Sequence, residues 1–216
     1  VRMAIEALES LGEDAKQTVE DGRPMLRRRH VIAHVQFISP NDIQRIGQVG
    51  AMVNMSPYWF QLPECAFVNS VVQDDMANTQ YQCRSIMESG GWLCFGSDWP
   101  VSSMVPLQGI QVAVTRQPLQ DDRRMDGADA GAVAAFNYEE AIPLDHAVRF
   151  YTQGSARANF RERDVGVLRA GMAADVIVLD ADPFEVAAHE ISQCSVVRTM
   201  CGGVTVWDSS KAEPQH

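Results

Sequence analysis

The sequence predicts an α/β fold built on a parallel sheet, followed by a small β-rich tail. Short, almost wholly apolar runs ("HVIAHVQFI", "AMVNM", "WLCF") recur along the chain with helix-like stretches between them. Strands that alternate with helices read as βαβ units, and strands without a polar side belong to a sheet covered on both faces. Beyond "ARANF" the pattern changes, and "GVLRAGMAADVIVLDADPF" and "SVVRTMCGGVTVWD" are rich in β-branched residues and glycine turns. We therefore expect an α/β part over residues 1–162 and a β segment over 163–216.

The chain opens inside a helix or just after its start. Ile5, Leu8 and Leu11 repeat at helical spacing with no capping residue before them. This opening, without an initiating Met, leads us to expect a piece of a longer polypeptide. "EDGRP" is a turn-rich break, and "RRHVIAHVQFIS" reads as a strand. In "SPNDIQRIGQVG", Ser39 or Asn41 caps, Pro40 is pre-set for a first turn, Ile43 and Ile46 form the apolar stripe, and Gly50 ends the helix. "AMVNMSPYW" is the second strand. A helix around "TQYQCRSIMESGG" stops at Gly90–Gly91, and "WLCFGSDWP" is the third strand. "PLQGIQVAVTRQ" reads as helix, with Arg116 on its surface rather than binding a substrate carboxylate, the other role open to it. "PLQDDRRMDGADAGAVAAFNYEEA" reads as a long loop. "IPLDHAVRFYTQGSARANF" puts Ala147, Val148, Tyr151, Ala158 and Phe160 on one helical face. Gly202–Gly203 marks a hairpin in the tail.

Composition narrows the function classes. The formal net charge of −10 argues against nucleic acid as a partner, and the one basic cluster, Arg23 with Arg27 to Arg29, reads as a solvated edge before a strand. No apolar run approaches the roughly 20 residues of a membrane span. The 5 cysteines are scattered, with no C-x-x-C pair, which suits reduced thiols and a cytoplasmic protein rather than a disulfide framework or a cysteine zinc site. No glycine-rich phosphate loop and no G-x-S-x-G elbow follows any strand.

The chemistry-bearing candidates are few. His30 and His34 form H-x-x-x-H, which on a helix would share a zinc. On a strand they stand roughly 13 Å apart, at about 3.3 Å per residue, and cannot bind one ion. The β-branched neighbours favour the strand, so at most one is a ligand, with His34 the better placed, and a buried histidine satisfied by hydrogen bonds is the alternative that the pattern alone favours. Asp98 stands at the end of the third strand, where α/β proteins build their sites. A carboxylate there meets a metal or a positive group, or caps the following turn. His34 and Asp98 can converge on one divalent ion, and nitrogen and oxygen ligands suit zinc. Trp59 and Trp99 can wall a substrate pocket, as alternatives to core or rim. His146, His189 and His216 read as surface residues.

Taken together, "RHVIAHVQFISPNDIQRIGQVGAMVNMSP", "GGWLCFGSDWPV", "PLQGIQVAVTRQP", "AVRFYTQGSARA", "GVLRAGMAADVIVLDADPF" and "VVRTMCGGVTVWD" resemble, in order and spacing, the C-terminal half of metal-dependent amidohydrolases. The branch is the one that includes N-substituted formamide deformylases. The resemblance implies a partial (β/α)8 TIM barrel, about strands 6–8, with a C-terminal β-sandwich segment. It implies that His34 is the metal-binding histidine of the sixth strand. It implies that Asp98 is the aspartate of the eighth, which touches the metal and takes a proton from the attacking water. Ala33 stands where the family usually has a glutamate, and the family's upstream ligands have no counterpart in this stretch.

The activity implied is metal-dependent hydrolysis of a C–N amide-type bond in a small molecule, with one or two divalent ions, most simply zinc. For the isolated chain the expectation is weak metal retention, no useful turnover, and either homo-oligomers or a missing N-terminal segment. The rival is a non-catalytic, barrel-derived interaction module in which Asp98 only caps a turn.

Overall fold

A three-stranded parallel sheet forms the centre of the molecule, in the order β3 (Val31–Ala33), β4 (Met52–Met55), β5 (Trp92–Phe95). The structure is a computed structural model and describes residues 1–11, 16–18, 22–77, 79–119 and 134–211. Residues 120–133 of the expected long loop, and His216, lie outside the described residues.

In register, Val31 faces Met52 and Met52 faces Trp92, so the strands end at one edge of the sheet. β4 and β5 are buried almost throughout, as their uninterrupted apolar sequence requires. β3 is an edge strand and Val31 is exposed, so its apolar run is packed less densely than the sequence suggests.

The crossovers follow local signals. α2 (Pro40–Val49) joins β3 to β4. Its first turn is set by Pro40 and by Ser39, whose hydroxyl accepts the Asp42 amide. It ends at Gly50 in the left-handed region, where a side chain would strike the Met25 backbone. Between β4 and β5 the chain forms α3 (Leu62–Asn69), α4 (Asp74–Ala77) and α5 (Cys83–Glu88). The sequence showed only the last of these, and it is shorter than expected. After β5 comes α6 (Pro106–Thr115). Then α7 (Leu144–Arg149), a π-helical turn (Phe150–Gly154) and α8 (Ser155–Ala158) run as one helix across β5. The Ser155 hydroxyl donates to the Phe95 carbonyl at 2.7 Å, and Phe150 and Tyr151 meet the Phe95 ring edge-on. The main core joins these elements through Ile43, Ile46, Val53, Phe60, Phe95 and Ala147. Full burial of such a side chain is worth roughly 1.5–3 kcal/mol.

At the N-terminal side, α1 (Arg2–Glu9) buries Ile5. β1 (Lys16–Thr18) and β2 (Pro24–Leu26) pair antiparallel around the turn-rich stretch "EDGRP", and neither strand is apparent from the sequence. The basic run is also not a uniform solvated edge. Arg27 and Arg28 are exposed, but Arg29 forms an ion pair with Glu162 and donates to the Arg157 carbonyl. Phe160 lies beyond the helix, exposed, beneath the Arg29 guanidinium.

The tail forms a separate antiparallel sheet, β6 (Val176–Leu179), β7 (Val196–Cys201) and β8 (Val204–Asp208). Gly202 and Gly203 make the β7–β8 turn, both at positive φ. A 3-10 segment, Ala188–Gln193, ties the tail to α6, with Ile191 buried and Ser192 N–H donating to Gln111 Oε1 at 2.8 Å.

Candidate functional site at the strand ends

Each strand of the parallel sheet leaves its C-terminal end with a different kind of residue. β3 ends at Ala33. The His34 N–H continues the ladder to the Asn54 carbonyl at 2.8 Å, and the next amide, Val35 N–H, folds back to the Ala33 carbonyl at 2.9 Å. This tight turn holds His34 at φ 68° and Val35 at φ 42°. A β-branched residue in the left-handed region is an outlier. Such conformations cost about 1–3 kcal/mol each and persist only where the surroundings impose them, most often at functional sites. Buried Val35 anchors the turn and leaves the His34 imidazole exposed. No helix covers residues 29–38, so the helical H-x-x-x-H reading fails.

β4 continues into the 3-10 turn Pro57–Trp59. This turn lays the half-buried Trp59 ring on the His34 imidazole, with centroids 5.3 Å apart and planes 23° from parallel. The Trp59 carbonyl accepts the buried Cys65 thiol at 3.3 Å, which fixes the turn from below. Burial pushes the Cys65 thiol up to about 12, so it serves as a neutral donor.

β5 continues through Gly96 and Ser97 to Asp98, also left-handed at φ 54°. The Asp98 carbonyl accepts the Val101 N–H at 2.8 Å, and the Trp99–Pro100 peptide within that turn is cis. The amide after Asp98, Trp99 N–H, is capped by the Ser97 hydroxyl at 3.3 Å, and Ser102 donates to the Ser97 carbonyl. The capping bond thus belongs to Ser97. The Asp98 side chain is exposed.

His34 and Asp98 leave strands separated only by β4, so their strand ends lie roughly 10 Å apart at about 4.8 Å per strand spacing. Asn54 occupies the middle strand between them, half-buried, with its amide 3.5 Å from the Cys94 carbonyl. Sequence reasoning passed over it, although a lone amide in "AMVNM" is the signal that could have found it. Trp99 is on the same loop as Asp98 but is 61% exposed and stacks on no other ring among the described residues. His146 is half-buried beside Asp145, and His189 is exposed.

Among the described residues, no group of three or more His, Cys, Asp or Glu side chains could hold a metal ion. The donor set at the strand ends is one imidazole and one carboxylate. That chemistry fits a zinc-like ion but supplies only part of the three or four ligands such an ion takes.

A family model described as "Amidohydrolase family" matches residues 1–207. The chain belongs to the amidohydrolase family. Among curated relatives, the protein YtcJ of Bacillus subtilis (strain 168) is 25% identical over 97% of this chain and 38% of its own length. The N-substituted formamide deformylase of Arthrobacter pascens is 31% identical over 57% of this chain and 21% of its own. This amidohydrolase chain therefore spans well under half the length of the curated relatives it matches. A metal-dependent hydrolase of Pyrococcus furiosus superposes with TM-score 0.56 at 25% identity, covering 73% of this chain and 29% of that one. A second, from Pyrococcus horikoshii OT3, gives TM-score 0.60 at 22% identity, over 74% of this chain and 30% of that one, and shows the shared fold. No helix among the described residues is long and apolar enough to cross a membrane.

Proposed function

We infer that this chain is the C-terminal part of a metal-dependent hydrolase of C–N amide-type bonds in small molecules, and that its parallel sheet is a segment of a (β/α)8 barrel. One observation carries the reading. His34 and Asp98, on strands one apart, both leave the C-terminal edge of the parallel sheet in left-handed conformations. That is the edge at which barrel enzymes assemble their chemistry.

In this reading His34 and Asp98 would hold a divalent ion, most simply zinc, together with ligands from outside the described residues. Bound there, such an ion supplies Lewis acidity, which polarises an amide carbonyl and acidifies water. The chain's own residues do the rest. The imidazole of His34 is kept in one orientation by the Trp59 ring. Asp98 accepts the proton of the attacking water at a carboxylate oxygen and returns it to the leaving nitrogen. Its freedom from capping duty, which Ser97 takes over, supports that role. Trp59 and Trp99 wall the substrate's apolar side. The remaining ligands are not supplied by the described residues of this stretch. The isolated chain is therefore expected to hold metal weakly and to associate, through the open β3 edge, with copies of itself or with a further segment.

The test is metal content in the hydrolase that contains this stretch. His34→Ala should lower zinc retention by more than the roughly 10–100-fold that loss of a residue merely supporting a metal ligand costs, and should abolish amide hydrolysis. Full metal occupancy with normal turnover would refute the reading. Without Asp98 chemistry the sheet would be only an interaction module, and Asp98→Asn would leave any partner binding intact.

A further inference from the structure

A buried guanidinium lies against Phe60, the residue that follows Trp59. Arg116, expected on a helix surface, instead caps α6 in the left-handed region, and its side chain is fully buried. Its hydrogen bonds go to carbonyl oxygens: Nε to Phe136 at 2.9 Å, Nη1 to Tyr81 at 3.3 Å and Nη2 to Gln80 at 3.3 Å. Its carbon centre lies 4.8 Å from the Phe60 ring centroid. A cation is costly to bury, and an apolar side chain of similar volume often gives equal or greater stability. The observations indicate what the cation contributes instead.

The Gln80 and Tyr81 carbonyls belong to a segment that grips the chain just after His34. Tyr81 N–H donates to the Gln36 carbonyl at 2.8 Å, and Gln36 Nε2 donates to Gln80 Oε1 at 2.6 Å. Gln36 adjoins the strained pair His34–Val35. On the other side, Phe60, against the guanidinium, is the residue next to Trp59. One planar fork thus braces both partners of the stack, and a strained turn needs such support.

We propose that Arg116 is a positioning residue for the metal-ligand arm: it fixes Gln80–Tyr81, these fix Gln36, and Gln36 holds the turn that sets His34 against Trp59. The proposal rests on the reading of His34 as a ligand, but its test needs no metal.

The readout is the Trp59 contribution to near-ultraviolet circular dichroism and fluorescence, taken as the difference between the chain and its Trp59→Phe variant. Arg116→Lys keeps the charge and loses the fork, and should remove about half or more of that signal in the folded chain. Gln36→Met, which leaves Arg116 in place, should do the same, and decides the matter if Arg116→Lys does not fold. Ile191→Val, a buried change that takes part in none of the Arg116, Gln80, Tyr81 or Gln36 hydrogen bonds, serves as the stability control and should leave the signal whole. An unchanged signal in folded Arg116→Lys, an unchanged signal in Gln36→Met, or an equal loss in Ile191→Val would each overturn the proposal. Should His34 prove not to bind metal, the Trp59 result would stand unaffected, which separates the two failures.

Discussion

One strand from each of the two larger sheets of this chain is built from similar residues, and the two strands end in opposite states. "WLCF" in β5 is buried at every position, whereas "VTVW" in β8 is exposed at every position. Both are short and apolar. The parallel sheet is covered by the helices that its own crossovers supply, and α7 to α8 close over β5. The antiparallel sheet is a meander in which β7 and β8 are joined by a two-residue turn, and the β6–β7 connection carries only the short 3-10 segment Ala188–Gln193, which packs on α6. Its attachment to the body is the Ala188–Gln193 segment on α6. Burial is thus decided by topology, and apolar sequence is only its precondition.

The contrast is broken most directly by truncation in each sheet. Phe95→Ala removes a ring packed against Phe60, Phe150 and Tyr151 and should cost about 3–5 kcal/mol in urea unfolding. Val206→Thr, on exposed β8, should stay within about 0.5 kcal/mol. Comparable losses at both sites would show that the tail sheet is as well packed as the body.

Close approach sharpens the same comparison. A side chain on Gly154 would overlap the Leu93 carbonyl, because the π-helical turn rests directly on β5. Gly154→Ala should therefore destabilise by about 1–3 kcal/mol or more. A thermal melt unchanged from the parent would mean that the helix does not press on the strand.

A smaller effect follows from pH. Burial pushes the Cys65 and Cys83 thiols up to about 12. An ordinary thiol ionises near 8.5. The unfolded chain therefore loses these protons first. The stabilisation is complete below about pH 8.5 and disappears as pH rises through about 12. Burial has the opposite consequence for Arg116, which is lowered to about 10, so its cost is relieved only above that pH. Between roughly pH 8.5 and 10 these two thiols titrate together with Cys94 and Cys194, which burial also raises, and before Arg116, so stability should fall, as urea midpoints at the two ends of the window would show. Cys65→Ala with Cys83→Ala should lessen the slope, and an unchanged slope would assign it elsewhere.

Much of the body was legible in the sequence. Ser39, Pro40 and Gly50 announced both ends of α2, and the apolar runs announced the three central strands. The hairpin at Gly202–Gly203 was equally plain. The end of β3 was not, because the turn at His34–Val35 uses neither Gly nor Pro and is imposed by the packing of Val35 and the grip on Gln36. Arg116 was misread because helical periodicity gives no sign that a left-handed C-cap turns the side chain inward. Elements α3 and α4 lie in a stretch of mixed polarity with no clear period. At the site, spacing placed His34 and Asp98 on strand ends. Residue chemistry alone left Asp98 divided between ligand and cap, and only the family resemblance chose between them.

The central claim is that the carboxylate of Asp98 moves the proton at a metal held jointly with His34. The decisive measurement is kcat/KM for amide hydrolysis by Asp98→Asn in the hydrolase that contains this stretch, with metal content assayed in the same preparation. The account predicts a loss of about 10²–10⁴-fold or more, the scale of a general base. Turnover within a few-fold of the parent at full metal occupancy would contradict it.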